Sequence, residues 1–480
     1  MSDTNTPPSL YAAREPVFPR RVSGTFRNLK WVIMAITLGI YYLVPWIRWD
    51  RGPALPDQAV LVDLANRRFY FFWIEIWPHE FYFIAGLLIM AGLGLFLFTS
   101  ALGRVWCGYA CPQTVWTDLF ILVERWIEGD RNARLRLHRQ KKWDFRKLRL
   151  RTTKVIAWIL IALATGGAWV FYFADAPTLL VDLVTGQAHP IAYSTMAVLT
   201  ATTFFFGGYA REQICIYACP WPRIQGAMMD EDTLTVGYRE WRGEPRGKLH
   251  KNEPEVEAAQ GDCIDCMACV NVCPMGIDIR EGQQLECITC ALCIDACDDI
   301  MDKIGKPRGL IDYMAISDEP LERAGQPPRN VWKHILRLRT VVYTVLWALV
   351  GVMLLVALYL RSDIDVTVAP VRNPTYVVLS NGDIRNTYEL RLRNKHGEDR
   401  PFEIFVDGTP GLSLELEGGE GSDVTVAADA MHLQRVYVVA PKDSAAATGE
   451  LSDIRFVVQD KMNGDQAEKD TVFHGKGDNG

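Results

Sequence analysis

Eight of the twelve cysteines in this 480-residue chain lie close together between positions 263 and 297. They form two runs, CIDCMACVNVC and CITCALCIDAC, each with the spacing C-x2-C-x2-C-x3-C. Thiolates are the ligands that iron in a cubane cluster requires, and this tight spacing lets one loop bind three corners. In two-cluster ferredoxins the fourth cysteine of each run binds the other cluster. The predicted ligand sets are Cys263, Cys266, Cys269 and Cys297 for cluster one, and Cys287, Cys290, Cys293 and Cys273 for cluster two.

A pair of structural zinc sites is the main alternative for these two runs. Zinc sites usually combine two C-x2-C knuckles that are separated by a longer gap. Here three ligands come in one unbroken run, and Pro274 follows the fourth cysteine of the first run, as in bacterial ferredoxins. The spacing therefore favours two [4Fe–4S] clusters over zinc. Because the two clusters share their binding loops, they are expected to lie close enough for electrons to pass between them.

The other four cysteines form two isolated pairs with the spacing C-x3-C-P. Cys107 and Cys111 lie in WCGYACPQ, and Cys215 and Cys219 lie in ICIYACPW. Proline directly after the second cysteine disfavours a helix there, so we expect a loop whose proline opens the next helix. Thiols beside a helix N-terminus have lowered pKa values and make good ligands or redox groups. The four residues are a candidate copper or redox site, and packed free thiols at helix ends are the alternative.

The elements that must position these cysteines are long apolar segments separated by charged ones. Hydrophobic residues make up 49% of the chain, although its net charge is only -6. This mixture is typical of a membrane protein with soluble domains. Five segments are predicted to span a bilayer of about 30 Å as helices. They are Trp31–Trp46, Phe81–Thr99, Val155–Phe173, Ile191–Gly208 and Val341–Leu360.

The distribution of charge predicts how these spans are oriented. Between Asp130 and Lys154 there are eleven Lys or Arg and two acids, whereas the short turn Asp175–His189 has two acids and no Lys or Arg. Lysine and arginine are retained on the cytoplasmic side of a membrane, so the N-terminus, the basic stretch and all twelve cysteines are expected there. The residues after Arg361 are expected in the periplasm. Nucleic-acid binding by the basic stretch is disfavoured because it lies between two spans.

The first four spans are interpreted as an internal repeat of two hairpins, each ending in a C-x3-C-P motif. A parallel repeat of this kind brings both motifs to the same membrane face, side by side. The predicted fold is thus a polytopic α-helical membrane protein with five spans, a ferredoxin-like insert and a C-terminal β domain. Its predicted parts are a disordered basic cytoplasmic tail (1–30), a four-span domain (31–208, with the second motif extending to 230), a cytoplasmic ferredoxin-like domain (209–339), the fifth span (340–360) and a periplasmic domain (361–480).

The C-terminal domain is predicted to be an immunoglobulin-like sandwich. Polar and apolar residues alternate in short segments that are separated by turn residues such as Asn381-Gly382 and Asp407-Gly408. Nothing in the domain resembles a catalytic group, so we expect it to dock or scaffold. The predicted strands are Thr387–Asn394, Phe402–Val406, Leu412–Glu417, Val424–Val426, Arg435–Pro441 and Ile454–Asp460.

Together, the two C-x3-C-P hairpins, the CIDCMACVNVCP and CITCALCIDAC runs, the fifth span and the outer β domain resemble the cytochrome c oxidase accessory protein family, called CcoG, FixG or RdxA. The resemblance extends from Phe18 to the end of the chain. It implies a multi-pass protein of the bacterial inner membrane that acts in the biogenesis of cbb(3)-type haem–copper oxidase. It also implies an oxidoreductase, a cupric reductase that converts copper(II) to copper(I) for insertion.

The resemblance implies copper-delivery and oxidase-assembly proteins, membrane lipid and an unknown cytoplasmic electron donor as partners. Nucleic acid is not expected as a partner. The sequence leaves open whether the protein forms a homodimer. Two alternative functions remain. The first is a quinol dehydrogenase resembling the NapH family, which also combines four spans, C-x3-C-P motifs and two clusters but is disfavoured by the fifth span and outer sandwich. The second is an assembly scaffold whose clusters only sense redox state.

Overall fold

The computed structural model of the protein describes residues 16–52, 55–248, 260–361, 364–396, 398–419, 421–428 and 430–477. The chain forms two compact units. Unit 1 comprises Met1–Ile47 and Ala59–Leu354, and unit 2 comprises Arg48–Gln58 and Leu355–Gly480. All twelve cysteines belong to unit 1, and the predicted sandwich lies within unit 2.

Five helices of the described chain are long and apolar enough to cross a membrane, as many as the sequence predicted. Apolar helices 1 and 3 begin six and ten residues before the predicted spans. The preceding Lys and Arg residues favour helix, whereas the prediction followed only the apolar run. Apolar helices 1 to 5 are Thr25–Trp46, Tyr82–Leu102, Phe145–Val170, Pro190–Ala210 and Leu338–Tyr359.

The N-terminal segment packs against the cysteine-rich region, so the prediction of a disordered tail is wrong for its described part. Residues 1–15 lie outside the described residues. The N–H of Arg20 donates to the carbonyl of Asn271 at 2.7 Å. At the start of apolar helix 1, the Asp295 carboxylate accepts from the N–H of Arg27 at 2.7 Å. A carboxylate there satisfies an N–H group that has no partner inside the helix. Such long-range contacts order a segment whose composition alone suggests disorder.

A buried cluster of charges joins apolar helices 3 and 4 to the helix Pro112–Glu128. The Glu124 carboxylate lies 3.2 Å from Arg134, 2.9 Å from Arg211 and 3.4 Å from Lys154. Lys154 is the tenth of the 26 residues of apolar helix 3, and Arg211 directly follows apolar helix 4. The start of one helix and the end of the other therefore meet at the same place.

Apolar helices 2 and 5 meet in a similar way. The Arg337 guanidinium, just before apolar helix 5, contacts the carbonyl of Ser100 near the end of apolar helix 2. It also contacts the Asp230 carboxylate, and the Thr233 hydroxyl donates to the same Ser100 carbonyl at 3.0 Å. The end of apolar helix 2 and the start of apolar helix 5 therefore lie close together.

Shorter helices connect these elements. One of them, Ala176–Thr185, occupies the segment predicted to be a turn. Asp175 caps it by accepting from the N–H of Thr178 at 3.3 Å, and Gly186 ends it in the left-handed conformation with φ of 79°. The others are Val105–Tyr109, Pro112–Glu128, Arg131–Arg139, Trp221–Met228, Glu240–Gly243, Ala268–Val272, Leu292–Ile304, Glu319–Arg323, Val331–Ile335 and, in unit 2, Ala445–Thr448.

Two small antiparallel sheets complete unit 1. Strands β1 (Val60–Asp63), β2 (Arg68–Phe71) and β3 (Ile74–Ile76) form a meander between apolar helices 1 and 2. Strand β4 (Thr235–Tyr238) pairs with β5 (Ile311–Met314), and residues of both strands pack in one apolar cluster with cysteines of the two runs.

Unit 2 is the predicted two-sheet sandwich. One sheet has the order β10 (Ser413–Leu416), β12 (Met431–Ala440), β8 (Ile384–Asn394) and β6 (Ile364–Pro370), with β7 (Val377–Val378) beside β8. The other has the order β11 (Asp423–Val426), β9 (Arg400–Gly408), β13 (Leu451–Asp460) and β14 (Gln466–His474). Alternate residues of β8 are buried, and the Tyr388 ring packs on that of Phe456 with centroids 5.1 Å apart. Every predicted strand is present, and β6, β7 and β14 are additional.

Candidate functional site

The two cysteine runs fold into the same backbone shape. In the first run Asp265 and Met267 have φ of 51° and 57°, and in the second run Thr289 and Ala291 have φ of 54° and 58°. Side chains other than glycine rarely adopt these left-handed angles, which bend the chain sharply around an enclosed centre. Each run then enters a helix directly after its second left-handed residue. Matching strained positions indicate that both loops are shaped to surround a group of the same kind.

The cysteines predicted for cluster one surround one small cavity. Three of them come from the first run, and Cys297 arrives from the helix Leu292–Ile304. The Cys266 side chain is exposed, whereas the other three are buried. Apolar side chains and Arg280 complete the lining. The cysteines of this cavity are Cys263, Cys266, Cys269 and Cys297.

A second cavity brings together the cysteines predicted for cluster two. Cys273 reaches it from the first run and joins three cysteines of the second, so the two loops interleave. Cys269 also borders this cavity, which makes the two cavities neighbours. Both groupings are those that the ferredoxin spacing predicts, and the binding of iron by each named sulfur stays a prediction. The cysteines that meet here are Cys273, Cys287, Cys290 and Cys293.

The donor atoms of both cavities fit iron–sulfur clusters. All twelve cysteines are free thiols, and the walls around the sulfurs are mainly apolar. Within the described ranges, no three His, Cys, Asp or Glu side chains lie close enough to hold a single metal ion. Each cavity brings together the four thiol groups that a cubane held by cysteine alone requires.

Burial controls the protonation of these thiols. Burial, followed by the charge of Cys290, raises the pKa of Cys273 to about 12, and burial, followed by Cys269, raises that of Cys297 to about 12. These thiols therefore keep their protons at neutral pH until a cation replaces them. Metal loading of the site must release protons, as at other thiolate centres.

The two C-x3-C-P segments have matching geometry. Cys111 and Cys219 are extended, with ψ of 129° and 125°, and the prolines after them lead into the helices Pro112–Glu128 and Trp221–Met228. The predicted break before proline is confirmed. A loop at the first cysteine is wrong, because Cys107 lies in a short helix and Cys215 in a π-helical turn.

All four of these cysteines line one cavity of about 790 Å³. The rest of its wall is mainly apolar and comes from apolar helix 2, including Leu88, from residues beside the two motifs and from Trp347 of apolar helix 5. At its polar end the Cys107 thiol donates to Oε1 of Gln225 at 3.1 Å. The cysteines that share the cavity are Cys107, Cys111, Cys215 and Cys219.

The expectation of lowered pKa values is wrong for the first cysteine of each pair. Burial raises the pKa of Cys107, although the nearby Arg104 guanidinium opposes this, and burial raises the pKa of Cys215 to about 12. The helix N-termini lie beside the second cysteines, whereas the first ones are enclosed by apolar side chains. Desolvation disfavours the thiolate at these positions.

The cavity of the C-x3-C-P cysteines adjoins the loop of cluster two. A Cβ on Gly108 would lie 2.6 Å from the carbonyl oxygen of Ile288 and 3.0 Å from Cα of Cys290. Only glycine permits so close an approach of two backbones. The hydroxyl of Tyr109 also donates to the carbonyl of Cys290 at 3.1 Å.

Two polar residues of the site are not evident from the cysteine spacing. Arg104 is buried between the two cysteine-lined regions, and its guanidinium donates to the carbonyl of Leu285. Gln225 is fully buried and donates to the Thr99 hydroxyl at 3.2 Å. The available indication in the sequence was an arginine between the second predicted span and the first C-x3-C-P motif.

Family comparisons agree with this arrangement. Residues 210–316 match the family described as a 4Fe-4S dicluster domain, and residues 83–131 match a 4Fe-4S binding domain. Residues 354–476 match the IG-like fold at the C-terminus of FixG. The cysteine-rich region is therefore an iron–sulfur domain, and the sandwich is the immunoglobulin-like domain that the strand pattern predicted.

Three relatives match nearly the whole chain. Protein RdxB of Cereibacter sphaeroides is 70% identical over 475 residues, covering 99% of both chains. Protein RdxA of the same organism is 66% identical over 469 residues, covering 97% of this chain and 98% of its own. Nitrogen fixation protein FixG of Rhizobium meliloti is 52% identical, covering 92% of this chain and 89% of its own. With such identities over the full set of domains, the chain belongs to the family of RdxA, RdxB and FixG, as its motifs indicated.

Proposed function

We propose that this iron–sulfur electron-transfer protein resides in the bacterial inner membrane and reduces copper(II) to copper(I) for cbb(3)-type oxidase assembly. The observation that carries the proposal is the contact between Gly108, beside Cys107, and the loop of cluster two. It supports a short route for electrons from the cluster region to the four C-x3-C-P cysteines. The copper-delivery and oxidase-assembly proteins that would receive the product are part of the same proposal.

The contacts between helix ends support the proposed orientation in the membrane. The N-terminal segment, the basic stretch and the cluster region touch one another, as when the N–H of Arg21 donates to Asp130 at 3.1 Å. Segments rich in Lys and Arg are retained in the cytoplasm, so the cluster region is proposed to be cytoplasmic. An odd number of spans then puts the sandwich in the periplasm, and the two matched hairpins form a repeat.

Reduction of each copper(II) ion to copper(I) takes one electron. When bound, iron–sulfur clusters carry single electrons at low potential, and an unidentified one-electron donor in the cytoplasm is proposed to supply them. The chain contributes cysteines at the receiving end: soft sulfur ligands favour copper(I) over copper(II). Apolar walls around Cys107 and Cys215 limit access of water to these thiols.

A second candidate is the quinol dehydrogenase, and one observation favours it. The cavity of the C-x3-C-P cysteines is large and mainly apolar, and one side of it is formed by apolar helix 2. Such a cavity suits a membrane-soluble quinone as electron acceptor as well as it suits a metal ion.

The two acceptors can be compared directly. Anaerobically reduced protein is mixed with copper(II) or with a soluble quinone analogue, and reoxidation is followed by the visible absorbance of the clusters. Copper reduction predicts reoxidation by copper(II) with formation of copper(I), detected with a copper(I) chelator. Reoxidation by the quinone alone would favour the dehydrogenase, and reoxidation by neither would favour the redox-sensing scaffold.

Replacement of Cys107 and Cys215 by serine tests the part played by the cavity. The double variant is expected to keep both cubanes of the dicluster domain and to lose copper reduction. Each single variant is expected to lose about as much as the double, because residues that act as a unit are not additive. Full copper reductase activity with intact clusters would show that copper is reduced elsewhere.

A further inference from the structure

A further cavity, of about 350 Å³, shares lining residues with two of the cavities described above. Two arginines line it, and we call it the arginine cavity. Arg104 is 3% exposed, whereas Arg223 and Gln283 are exposed, so the cavity can be reached from solvent. The polar residues that line it are Arg104, Arg223, Thr235, Gln283, Gln284 and Thr289.

The arginine cavity carries positive charge that its own lining does not offset. No aspartate or glutamate is among the described residues that line it. Nε of Arg104 is buried without a hydrogen-bond partner in the described structure, although the same guanidinium donates to the carbonyl of Leu285. A buried N–H without a partner is costly unless a ligand accepts from it. Because guanidinium groups bind carboxylates and phosphates, the ligand that fits this cavity is an anion.

The size of the arginine cavity favours an organic anion over a simple oxyanion. Sites for small organic molecules typically have volumes of about 300–1,000 Å³. The apolar side chains of Met229, Val236 and Leu285 form part of the wall and can pack against carbon atoms of a ligand. The amides and hydroxyls around them can donate hydrogen bonds to its oxygens. A small organic molecule with several acidic groups therefore suits the cavity.

A bare copper(II) ion does not suit the arginine cavity. Copper(II) prefers nitrogen and oxygen ligands, and no histidine, aspartate or glutamate is among the described residues of the lining. The two guanidinium groups also repel a cation. Copper(II) held by an anionic chelator brings its own oxygen ligands, and the negative charge of such a complex is attracted by the same two arginines.

The arginine cavity adjoins both regions that the proposed copper reduction requires. Cys287 lines it and also lines the cavity predicted for cluster two. Arg104 lines it and also lines the cavity of the C-x3-C-P cysteines. A chelate bound here is therefore next to a predicted cluster ligand and next to the region of the four thiols.

From these observations we infer that the arginine cavity binds small organic polyanions and receives copper(II) as an anionic oxygen-ligand chelate, such as copper(II) citrate. The inference rests on the copper reduction proposed above and names the chemical form of its substrate. Copper(II) takes up the one electron that the proposed function supplies, and the chelator leaves as the free anion because copper(I) prefers sulfur to oxygen ligands. A thiol of the neighbouring cavity that binds copper(I) releases its proton to water.

Binding of citrate tests the site without copper or electron transfer. Isothermal titration calorimetry of the full-length protein, with its clusters reconstituted, should show a single citrate per chain and much weaker binding of inorganic phosphate. Arg223→Gln should weaken citrate binding about tenfold, the effect of losing one charge-assisted hydrogen bond. The matched control Arg139→Gln removes an exposed arginine from the helix Arg131–Arg139 and should bind citrate as the wild type does.

The charge of the copper complex separates binding at this site from a structural role of Arg223. Copper(II) citrate is an anion, whereas copper(II) bis(ethylenediamine) is a cation. In Arg223→Gln, KM for the citrate complex should rise about tenfold with kcat unchanged, and KM for the cationic complex should not rise. An equal rise for both complexes would show general damage to the protein and would refute a charge-selective site.

Absence of citrate binding by the wild type, equally tight binding of inorganic phosphate, or unchanged citrate binding in Arg223→Gln would overturn the inference. The first two results need no variant, so misfolding of Arg223→Gln cannot leave the question open. Citrate binding without any copper reduction refutes the proposed function and leaves the anion site in place. Copper reduction without citrate binding refutes the anion site alone.

Discussion

Cys273 and Cys297 each line a cavity with cysteines of the other run. Loss of one cysteine should therefore affect more than its own cluster. Replacement of Cys263 or Cys287 by serine is expected to remove one cubane, about four iron atoms, and to weaken the other through the shared loops. Iron content and EPR of anaerobic samples measure this. Unchanged EPR signals in both variants would contradict the ligand assignment.

The Glu124 carboxylate is the anion that three buried cations share. Burial favours the neutral acid, but Arg211, Lys154 and Arg134 outweigh it and lower the pKa of this carboxyl group. Replacement by glutamine leaves these cations without their shared anion. Breaking a buried ion pair in this way costs about 3–5 kcal/mol, which predicts a clear drop in the thermal transition of the protein in detergent.

The pH dependence of this effect has a definite sign. Because the pKa of Glu124 is lower in the folded protein, its contribution to the free energy of unfolding is complete above the unfolded pKa of about 4.3. That contribution is lost as pH falls through the lower pKa of the folded state. The difference in stability between the wild type and Glu124→Gln should be constant near neutral pH and should become smaller in acid. As a control, Glu319→Gln breaks an exposed pair with Arg323 and should cost about 1 kcal/mol or less. Equal effects of both variants would refute the role of the buried cluster.

At the scale of elements, the short helix Val105–Tyr109 connects the cavity of the C-x3-C-P cysteines to the cluster region. Gly108→Ala would push this helix away from Ile288 and Cys290. We expect iron content to persist and electron transfer to copper(II) to fall, because transfer depends on the closeness of the two segments. Gly39→Ala is the control, since nothing lies within 4 Å of a Cβ there. Equal rates of copper reduction in both variants would show that this contact is not used.

Proline and helix-capping chemistry made the two C-x3-C-P segments predictable at element scale. Pro112 opens its helix, as expected, because its fixed φ suits the first helical position. The same chemistry was present at Asp175 and Gly186 and was overlooked, so a helix was predicted as a turn. The three strands between apolar helices 1 and 2 were missed because their aromatic residues also suit a membrane interface.

At the scale of the whole molecule, the proposed orientation can be tested with reporter fusions. Alkaline phosphatase is active only after export, so a fusion after Leu379 in the sandwich should be active. A fusion after Lys147, within the basic stretch, should be inactive because positive charge is retained in the cytoplasm. Activities are normalised to the amount of fusion protein. The reverse result would place the clusters outside and contradict the proposed route of electrons.

The amino-acid sequence by itself determined the elements whose information is local. Cysteine spacing identified the iron–sulfur runs, apolar length identified five helices, and alternation identified six of the sandwich strands, because each pattern repeats within a few residues. What the tertiary structure decided depends on contacts between distant positions: the shared cavity of two cysteine pairs, the ordering of the N-terminal segment by Asp295, and the burial that raises the pKa of Cys215. Spacing along the chain does not encode such distances, since they arise only when separate elements pack together.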